Sequence, residues 1–441
     1  MSEEATLDEF VDQDDSDDEI DNWPVARVKN HIELISGVHV KSDKVHRDDS
    51  STPYLTGPED FDGLGFTVTK YTDEPTKYCE PEDTLVTVKG SGCGKAAFSD
   101  QRACISRQLK ALRPVSTVNP HYLYQSMKSK ERFLETLSEG SAIPGLSNSH
   151  LTSLDIPVPD KEEQRKIATV LHNVDKAIQK TKEIIKQTRR SRTGIVQDIF
   201  TTGYFNHEET QDVRLGPVKT SIPEDWELGS VSESFRIIDG DRGENYPSQS
   251  DFQDDGYCLF LSANNVTDRG LRFGETEFIS KKKDKELRNG RLSRGDIVMT
   301  TRGTVGNFGY YDEAVDYEHI RINSGMVILR PKGEVTCPEF YYHLFRSRIF
   351  QKQISAASYG TAQPQTSVTD IKKMRVAELS DEEKRKISEV IRNINSIIEQ
   401  SEQYKDYLVS IKQALMQDLL SGKVRTTDTS IAVPDEIRQH G

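Results

Sequence analysis

An internal repeat constrains the fold of this chain more than any other feature of its sequence. The segment EEQRKI at 162–167 returns as EEKRKI at 382–387, and this offset of 220 residues holds without insertion for nearly forty residues. Upstream, DTLVTVKG returns as DIVMTTRG, and the two tryptophans, Trp23 and Trp226, each precede a glycine by fourteen residues. Repetition on this scale predicts two similar units within the 441 residues.

Each copy ends in a long segment with helical periodicity. Asp160 and Ser380 suit N-cap positions, and a glutamate follows three residues after each, so we expect reciprocal capping boxes. Apolar residues then recur at alternating spacings of four and three, which indicates a coiled-coil seam. The predicted seam residues are Ile167, Leu171, Val174, Ile178, Ile387, Ile391, Ile394 and Ile398. We expect the two helices to pair with each other; packing of each on its own domain, or dimerisation of the chain through them, are the alternatives.

The globular segments mix strand, turn and short helix patterns, so the predicted fold class is α+β. Two repeated mixed α/β domains would be separated by two long helices that form an antiparallel coiled coil, each helix carrying its domain at the opposite end. The predicted parts are an acidic disordered tail (1–22), a first domain (23–159), a first spacer helix (160–203), a linker (204–221), a second domain (222–379), a second spacer helix (380–422) and a C-terminal tail (423–441).

The net charge of −14 is concentrated at the N-terminus. Residues 1–21 hold eleven acidic side chains and no lysine or arginine, which is typical of a solvated, disordered segment. The remainder is close to neutral and contains local basic patches, such as 102–132 with seven basic residues and one acidic residue. Because such patches can neutralise phosphates, the acidic total does not exclude a nucleic-acid ligand.

The stretch KGSGCGKAAF at 89–98 resembles a nucleotide-binding P-loop but lacks its chemistry. Only three residues separate Gly90 from Gly94, and Ala96 stands where a Mg²⁺-binding hydroxyl is needed. The second copy reads RGTVGNFGY and lacks the phosphate-binding lysine. We therefore predict a strand, a tight glycine turn and a second strand.

Other enzyme and metal signatures are equally weak. Phe61-Asp-Gly-Leu-Gly and Asn119-Pro-His-Tyr resemble methyltransferase motifs, but the first does not follow a buried strand, and in the second a histidine replaces a proline. The second copy favours Pro120 as the first turn of a helix. The five cysteines are scattered without a CxxC pair, which argues against a zinc site or a disulfide framework. Without a signal peptide or apolar span in the sequence, we expect a cytoplasmic protein and no membrane partner.

Taken in order, the segments IPVPDKEEQRKIATVL, QDIFTTG, PEDW and QDLLSGKV resemble the specificity subunit of type I restriction-modification systems, over about residues 20–425. The resemblance implies a non-catalytic protein with two target-recognition domains, each reading one half of a bipartite, asymmetric double-stranded DNA site. It implies docking of two modification (methyltransferase) subunits on the helices, and of restriction (translocase-nuclease) subunits. It places S-adenosylmethionine, ATP and Mg²⁺ on those partners and no cofactor or metal in this chain.

Three alternatives remain open on the sequence. The chain could be a DNA-specificity component of another phage-defence or methylation system, a coiled-coil scaffold that binds only proteins, or an enzyme acting alone. Neighbouring genes would decide the first alternative. A lack of salt-dependent affinity for duplex DNA in the presence of the modification subunit would favour the second, and methylation by the purified chain without partners would identify the third.

Contact residues cannot be transferred by motif, because recognition domains vary within such a family. The loops at 140–148 and 359–366 carry short polar residues that could reach base edges, with ordinary turn chemistry as the alternative. We therefore select cations and short polar residues on physical grounds alone. The predicted DNA contacts are Lys89, Ser91, Lys95, Arg102, Arg107, Lys281, Lys282, Lys283, Arg302, Thr304, Asn307 and Gln363. The repeated pairs near the helix ends are candidates for partner docking, with helix-end hydrogen bonding as the alternative: Gln197, Asp198, Gln417 and Asp418.

Overall fold

A computed structural model of the chain describes residues 23–90, 92–139, 145–333, 335–358 and 365–438. The predicted acidic tail at 1–22 therefore lies outside the described residues.

The first half of the chain contains many short strands and ends in a long helix. Its strands are β1 (Val25–Arg27), β2 (Ile32–Ser36), β3 (Val45–His46), β4 (Thr52–Leu55), β5 (Phe61–Asp62), β6 (Gly65–Phe66), β7 (Tyr71–Thr72), β8 (Tyr78–Cys79), β9 (Thr84–Thr87), β10 (Ala96–Phe98), β11 (Ala103–Ile105), β12 (Leu109–Pro114) and β13 (Asp155–Pro157). Its helices are α1 (Pro120–Ser129), α2 (Glu131–Glu139), α3 (Asn148–Thr152) and α4 (Lys161–Thr202).

The second half follows the same plan. Its strands are β14 (Thr210–Leu215), β15 (Val218–Pro223), β16 (Glu227–Ser230), β17 (Phe235–Asp239), β18 (Phe252–Gln253), β19 (Cys258–Leu261), β20 (Val266–Thr267), β21 (Gly270–Leu271), β22 (Phe278–Ile279), β23 (Ile297–Thr300), β24 (Phe308–Tyr310), β25 (Ile320–Ile322), β26 (Met326–Pro331) and β27 (Arg375–Glu378). Its helices are α5 (Val231–Ser234), α6 (Lys281–Glu286), α7 (Pro338–Phe345), α8 (Arg348–Ala357), α9 (Val368–Lys373), α10 (Asp381–Leu420) and α11 (Asp435–Arg438). The predicted linker contains most of the β14–β15 hairpin.

The chain forms two compact units. Unit 1 comprises the chain up to Ile184 together with the chain from Glu402 onward, and unit 2 comprises Ile185–Ser401. The four-stranded sheet of unit 1 has the order β10-β9-β12-β2, and that of unit 2 has the matching order β24-β23-β26-β17. Each unit also holds one parallel strand pair in a second sheet, β4 with β11 and β19 with β25. The prediction of two repeated α+β domains is confirmed.

Equivalent glycines show that the repeat extends to close backbone contacts. A Cβ atom added to Gly37 would lie 2.1 Å from the carbonyl oxygen of Ser106, and one added to Gly240 would lie 2.1 Å from that of Asn323. These approaches are far below normal contact distances and involve rigid backbone. Glycine is therefore required at the end of β2 and at the end of β17.

The start of α4 differs from the predicted capping box. Asp160 caps the helix as expected, since its Oδ1 accepts a hydrogen bond from the Glu163 amide at 2.9 Å. The Glu163 carboxylate does not return this bond; it accepts from Trp23 Nε1 at 3.1 Å, from the Thr426 amide at 3.0 Å and from the Arg425 guanidinium at 2.9 and 3.0 Å. The predicted bond from the Asp160 amide to Glu163 does not form, because the Arg425 guanidinium and the Trp23 indole, both distant in sequence, donate to this buried carboxylate instead.

The start of α10 repeats this arrangement with a different cation. Ser380 Oγ accepts from the Glu383 amide at 3.2 Å, and the Glu383 carboxylate accepts from Trp226 Nε1 at 3.0 Å. His207 replaces arginine, with its Nε2 2.8 Å from Glu383 Oε1, and the Tyr204 amide donates to that oxygen at 2.8 Å. Here too the reciprocal capping bond is replaced by long-range partners.

The two long helices pack together in opposite directions. In unit 1, Lys412 near the end of α10 forms an ion pair of 2.8 Å with Asp175 near the start of α4. In unit 2, Arg192 near the end of α4 donates through Nε to Asn395 Oδ1 at 2.6 Å. Among the predicted seam residues, those that are buried are Ile167, Leu171, Ile178, Ile387 and Ile391, and those that are half-buried are Val174, Ile394 and Ile398.

The first turns of the long helices also belong to the globular cores. Ile167 and Leu171 pack in one cluster with residues of β9, β12 and α1 and with Leu419 at the end of α10. Ile387 and Ile391 pack in unit 2 in the same way. Helix pairing and packing on the domain, posed as alternatives in the sequence, therefore occur on the same two helices.

The predicted C-terminal tail packs on unit 1 as far as Arg438. Ile437 is fully buried in the core of that unit. Lys166 Nζ donates to the carbonyl oxygen of Thr427 at 3.0 Å, and Glu436 lies 3.0 Å from His172 Nε2. This segment contributes to the wall of unit 1.

Candidate nucleic-acid interface

The loop that follows β9 forms the candidate interface of unit 1. As predicted, it is a glycine turn between two strands, with β9 and β10 antiparallel and Gly90 and Gly94 at φ of +90° and +95°. Lys89 forms an isolated bridge with Gly145, which ties the exposed turn to the segment that begins at residue 145. Positive φ favours glycine, so this sequence specifies the turn and leaves lysine side chains at its surface.

A cation that sequence reasoning missed joins this loop. Lys110 projects from β12, where its Nζ donates to Ser36 Oγ at 2.8 Å and to Asn148 Oδ1. Burial lowers the pKa of Lys110, and the charge of Lys89 lowers it further. Lys95 is exposed in the same loop. Polar amide and ammonium groups therefore meet at one edge of the sheet.

Unit 2 has an equivalent loop after β23. Arg302 is exposed there and forms an isolated bridge with Gln365, the counterpart of the bridge in unit 1. Beside it lies a cavity of about 340 Å³ whose polar wall includes Arg242 and Asp370. Arg242 Nη2 donates to Asp239 Oδ1 at 3.1 Å. Arg242 was also missed by sequence reasoning, although it follows the repeat-equivalent Gly240 by two residues, in the turn sequence DGDRG.

Two other predicted contacts of unit 1, Arg102 and Arg107, lie on or beside other strands. Arg102 stacks over the Tyr78 ring at 4.0 Å and pairs with Glu80 at 3.2 Å, so its guanidinium is already engaged. Arg107 is exposed in the turn between β11 and β12. Ser91 lies outside the described residues.

The three lysines predicted as contacts of unit 2 lie on a helix apart from the loop after β23. Lys281, Lys282 and Lys283 lie on α6, where Lys283 Nζ is 3.3 Å from a carboxylate oxygen of Asp251 and Lys281 lies over an aromatic ring. No hydrogen bond or ion pair joins α6 to the 301–307 loop in the described part of the chain. Thr304 is exposed, and Gln363 lies outside the described residues.

Asn307 has a structural contact in place of a free amide. Its Nδ2 donates to the carbonyl oxygen of Val266 at 2.9 Å, which ties the loop after β23 to the β20–β21 hairpin. Its backbone amide donates to Thr300 Oγ1 at 3.0 Å. The side chain therefore braces the loop that presents Arg302.

The proposed docking pairs lie near the ends of the long helices. Gln197 and Asp198 are exposed, and their main-chain oxygens accept bonds from threonine hydroxyls one turn later. Gln417 is exposed, whereas Asp418 is half-buried and lies 3.5 Å from Lys423 Nζ. Helix-end hydrogen bonding accounts for part of this repeat. Among the described residues, it does not engage the side-chain amide of Gln197 or the carboxylate of Asp198.

Sequences that resembled catalytic motifs have structural roles. Pro120 opens α1, and the Asn119 side chain caps that helix by accepting a bond from the Tyr122 amide at 3.2 Å. Phe61 begins a small hairpin of β5 and β6. Burial raises the pKa of Cys79 to about 11, which keeps its thiol protonated and unreactive.

Over the described residues, no group of three or more histidine, cysteine, aspartate or glutamate side chains is placed to hold a metal ion. In the same part of the chain, no helix combines the length and apolar character needed to cross a lipid bilayer.

Comparison with known proteins gives a consistent result for both repeats. The family model described as the type I restriction modification DNA specificity domain matches residues 20–189 and again 223–408. The specificity subunit of the type I restriction enzyme MjaVIII from Methanocaldococcus jannaschii is 26% identical over 417 residues, covering 92% of this chain and 93% of the relative. The specificity subunit of EcoBI from Escherichia coli is 22% identical over 422 residues, covering 92% of this chain and 86% of the relative.

Solved structures show the same fold. The crystal structure of a type I restriction-modification S subunit from M. genitalium aligns with a TM-score of 0.58 at 16% identity, covering 90% of this chain and 96% of that one. A chain from a structure of type I system assembly and conformational transition aligns with a TM-score of 0.55 at 14% identity, covering 91% of this chain and 98% of that one.

Proposed function

The chain belongs to the type I restriction modification DNA specificity family, and from this membership we propose that each of its two target-recognition domains reads one half of a bipartite, asymmetric DNA site. Type I specificity subunits bind DNA and assemble with other restriction-modification subunits, which carry the catalytic activities. The recognition domain in unit 1 would read one half-site through the loop after β9. The domain in unit 2 would read the other through the loop after β23.

This proposal rests on the fact that equivalent loops on equivalent sheets carry different polar side chains in the two units. Both units present a cation at the same position of an equivalent loop, tied by a bridge to an equivalent neighbouring segment. In unit 1 the groups are ammonium ions, Lys89 and Lys110, beside the amide of Asn148. In unit 2 they are the guanidinium groups of Arg302 and Arg242. Guanidinium pairs in two-bond geometry with guanine, whereas an ammonium acts as a point charge.

We also propose that the long helices dock the catalytic partners. Tyr404 and Tyr407 on α10 are 54% and 62% exposed, and aromatic side chains are enriched in protein interfaces. The exposed pair Gln197 and Asp198 supplies polar groups on α4. In this proposal two modification subunits bind S-adenosylmethionine and methylate adenine, and restriction subunits use ATP and Mg²⁺ to translocate and cleave.

Exchange of one recognition domain tests the proposal directly. Residues 23–159 are replaced by the equivalent region of a relative with a different target, and methylated adenines are mapped across the genome. One half of the methylated motif should change and the other should remain. If both halves change together, or methylation does not depend on this chain, the proposal is refuted.

A single-residue variant tests the loop of unit 2. In complex with the modification subunits, Arg302→Ala should weaken binding to the cognate site by about 1 to 3 kcal/mol and relax one position of one half-site, if Arg302 reads a base. If it contacts a phosphate, the slope of log affinity against log salt should instead fall by about 1. Arg348→Ala, which removes an exposed arginine from α8, serves as the matched control. Equal binding by both variants would remove Arg302 from the interface.

A further inference from the structure

Unit 2 contains a cavity of about 260 Å³ that the proposed function does not use. It lies where the second half of α4 meets α7, α8, the first half of α10 and the loop before β24. Arg192, His343 and Arg346 line it, and Asp268 lies at its wall. Since one water occupies about 30 Å³ in the liquid, the cavity has room for an ion larger than water.

Among the described residues, neutral groups, and not a carboxylate, hold the two arginines of this cavity. Arg192 donates through Nε to the neutral amide of Asn395 at 2.6 Å. Arg346 donates to Tyr342 Oη at 2.7 Å and to the main-chain oxygen of Asp268. In the described part of the chain, neither guanidinium has an ion-pair partner within 4.0 Å. Burial lowers the pKa of Arg192, and the nearby charge of Arg346 lowers it further.

The wall also holds a buried side chain that lacks hydrogen bonds. The His343 side chain is 4% exposed, and neither of its ring nitrogens has a hydrogen-bond partner among the described residues. Its nearest carboxylate, on Glu339, is 3.6 Å away, which is too long for a hydrogen bond, and Glu339 is paired with Arg392. Buried polar groups are nearly always satisfied, so a donor of this kind indicates a missing partner.

The equivalent place in unit 1 is neutralised by the chain itself. The helix repeat, with its offset of 220 residues, aligns Asp175 with Asn395 and Lys412 with Arg192. Asp175 forms an ion pair with Lys412 at 2.8 Å and accepts a bond from Gln125 Nε2 at 2.8 Å. Unit 2 keeps the cation and loses the carboxylate.

We propose that the cavity of unit 2 binds a small tetrahedral oxyanion, with inorganic phosphate as its natural example. The guanidinium groups of Arg192 and Arg346 would donate to its oxygens, since their planar donor pairs suit phosphate geometry. His343 would donate a third bond through a ring N–H. The anion supplies the negative charge that Asp175 supplies in unit 1.

Calorimetric titration of the full-length chain with sodium phosphate tests the proposal, with sodium chloride of equal ionic strength as the reference. Phosphate should bind to one site, and Arg192→Gln should weaken its affinity about tenfold or more, since the lost bond is charge-assisted. Arg190→Gln removes an exposed arginine from the same helix and should leave the affinity unchanged. An equal response to chloride, or equal affinities in the two variants, would overturn the proposal.

Two further measurements keep the result decisive if Arg192→Gln does not fold. Crystals of the unmodified chain soaked in selenate should show an anomalous peak between Arg192 and Arg346; its absence at saturating selenate would overturn the site. Titration with adenosine monophosphate separates a free anion from the phosphate of a nucleotide. Binding of the nucleotide without binding of inorganic phosphate would refute a site for a small free oxyanion.

Discussion

The Glu163 carboxylate offers a sharp test of how unit 1 is held together. It is 1% exposed and accepts hydrogen bonds from the Trp23 indole, the Thr426 amide and the Arg425 guanidinium. Glu163→Gln keeps the size of the side chain and removes its charge. Removing one partner of a fully buried pair costs about 3 to 5 kcal/mol. Because Arg425 is 34% exposed, water compensates part of this loss, and we expect about 2 to 3 kcal/mol.

The neighbouring residue provides the matched control. Glu162 is 77% exposed and pairs with Lys166 at 2.9 Å, so Glu162→Gln should cost at most about 0.5 kcal/mol. Thermal unfolding is followed by Trp23 fluorescence in a Trp226→Phe background, so that the signal reports unit 1. The midpoint should fall by about 5 to 10 °C in Glu163→Gln and by about 1 °C in the control.

Acid titration of the same variants checks the cause. Burial raises the pKa of Glu163, but hydrogen bonds from Arg425 and Thr426 and the charge of Arg425 outweigh it, so the pKa is lowered overall. The stabilisation is therefore complete above the unfolded pKa of about 4.3 and is lost as the pH falls through the folded value. The difference between wild type and Glu163→Gln should shrink in this acid range. Equal midpoints for the two glutamine variants at pH 7, or a difference that persists in acid, would refute the reasoning.

Three further perturbations test unit-specific contacts. Burial lowers the pKa of His207, but the hydrogen bond and the charge of Glu383 raise it overall. The charged imidazole therefore stabilises unit 2 fully below about pH 6.5, and this stabilisation is lost as the pH rises through the raised pKa. In His207→Gln, the melting temperature of unit 2 should fall less steeply with rising pH, and an unchanged slope of melting temperature against pH would contradict the assignment. Asp175→Asn should destabilise unit 1 by about 3 kcal/mol in urea unfolding, because Lys412 stays buried without its partner. Adding Lys412→Met should recover most of this loss. Without recovery, the buried charge is not the cause. Gly240→Ala should cost unit 2 about 1 to 3 kcal/mol in urea unfolding, because its Cβ would collide with a backbone carbonyl, and normal stability would contradict the close approach.

The sequence predicted the repeated fold because periodicity and spacing act locally. The helix starts at Asp160 and Ser380 and the glycine turn at 89–98 follow from capping and turn preferences alone. The partner of Glu163 does not, since Arg425 lies 262 residues away and no local pattern connects the two. Contacts between distant segments, such as this one between the start of α4 and the segment after α10, depend on the tertiary packing of the helices. The spacing of apolar residues along one helix does not specify that packing.

The candidate interface was predicted only in part for a related reason. Lys89 and Arg302 were found because alignment of the two copies places both cations beside the same turn. Lys110 was missed because a lysine in a strand that alternates with buried residues looks like an ordinary solvated position. Asn307 was chosen for its side-chain chemistry, yet its amide is used by a backbone carbonyl. Residue type indicates what a side chain can bind, and only the fold determines whether it is free to do so.

Duplication has preserved the position of one buried glutamate in each unit but not the cation that pairs with it. Glu163 pairs with arginine, which stays charged at every accessible pH, so this contact weakens only as acid protonates the carboxylate. Glu383 pairs with His207, so this contact weakens as the pH rises and the imidazole loses its proton. Both indoles still donate to their glutamates. Two domains with one architecture are therefore stabilised over different pH ranges. The repeated helix start fixes the position of the carboxylate, whereas its cation comes from the segment after α10 in unit 1 and from the segment after α4 in unit 2.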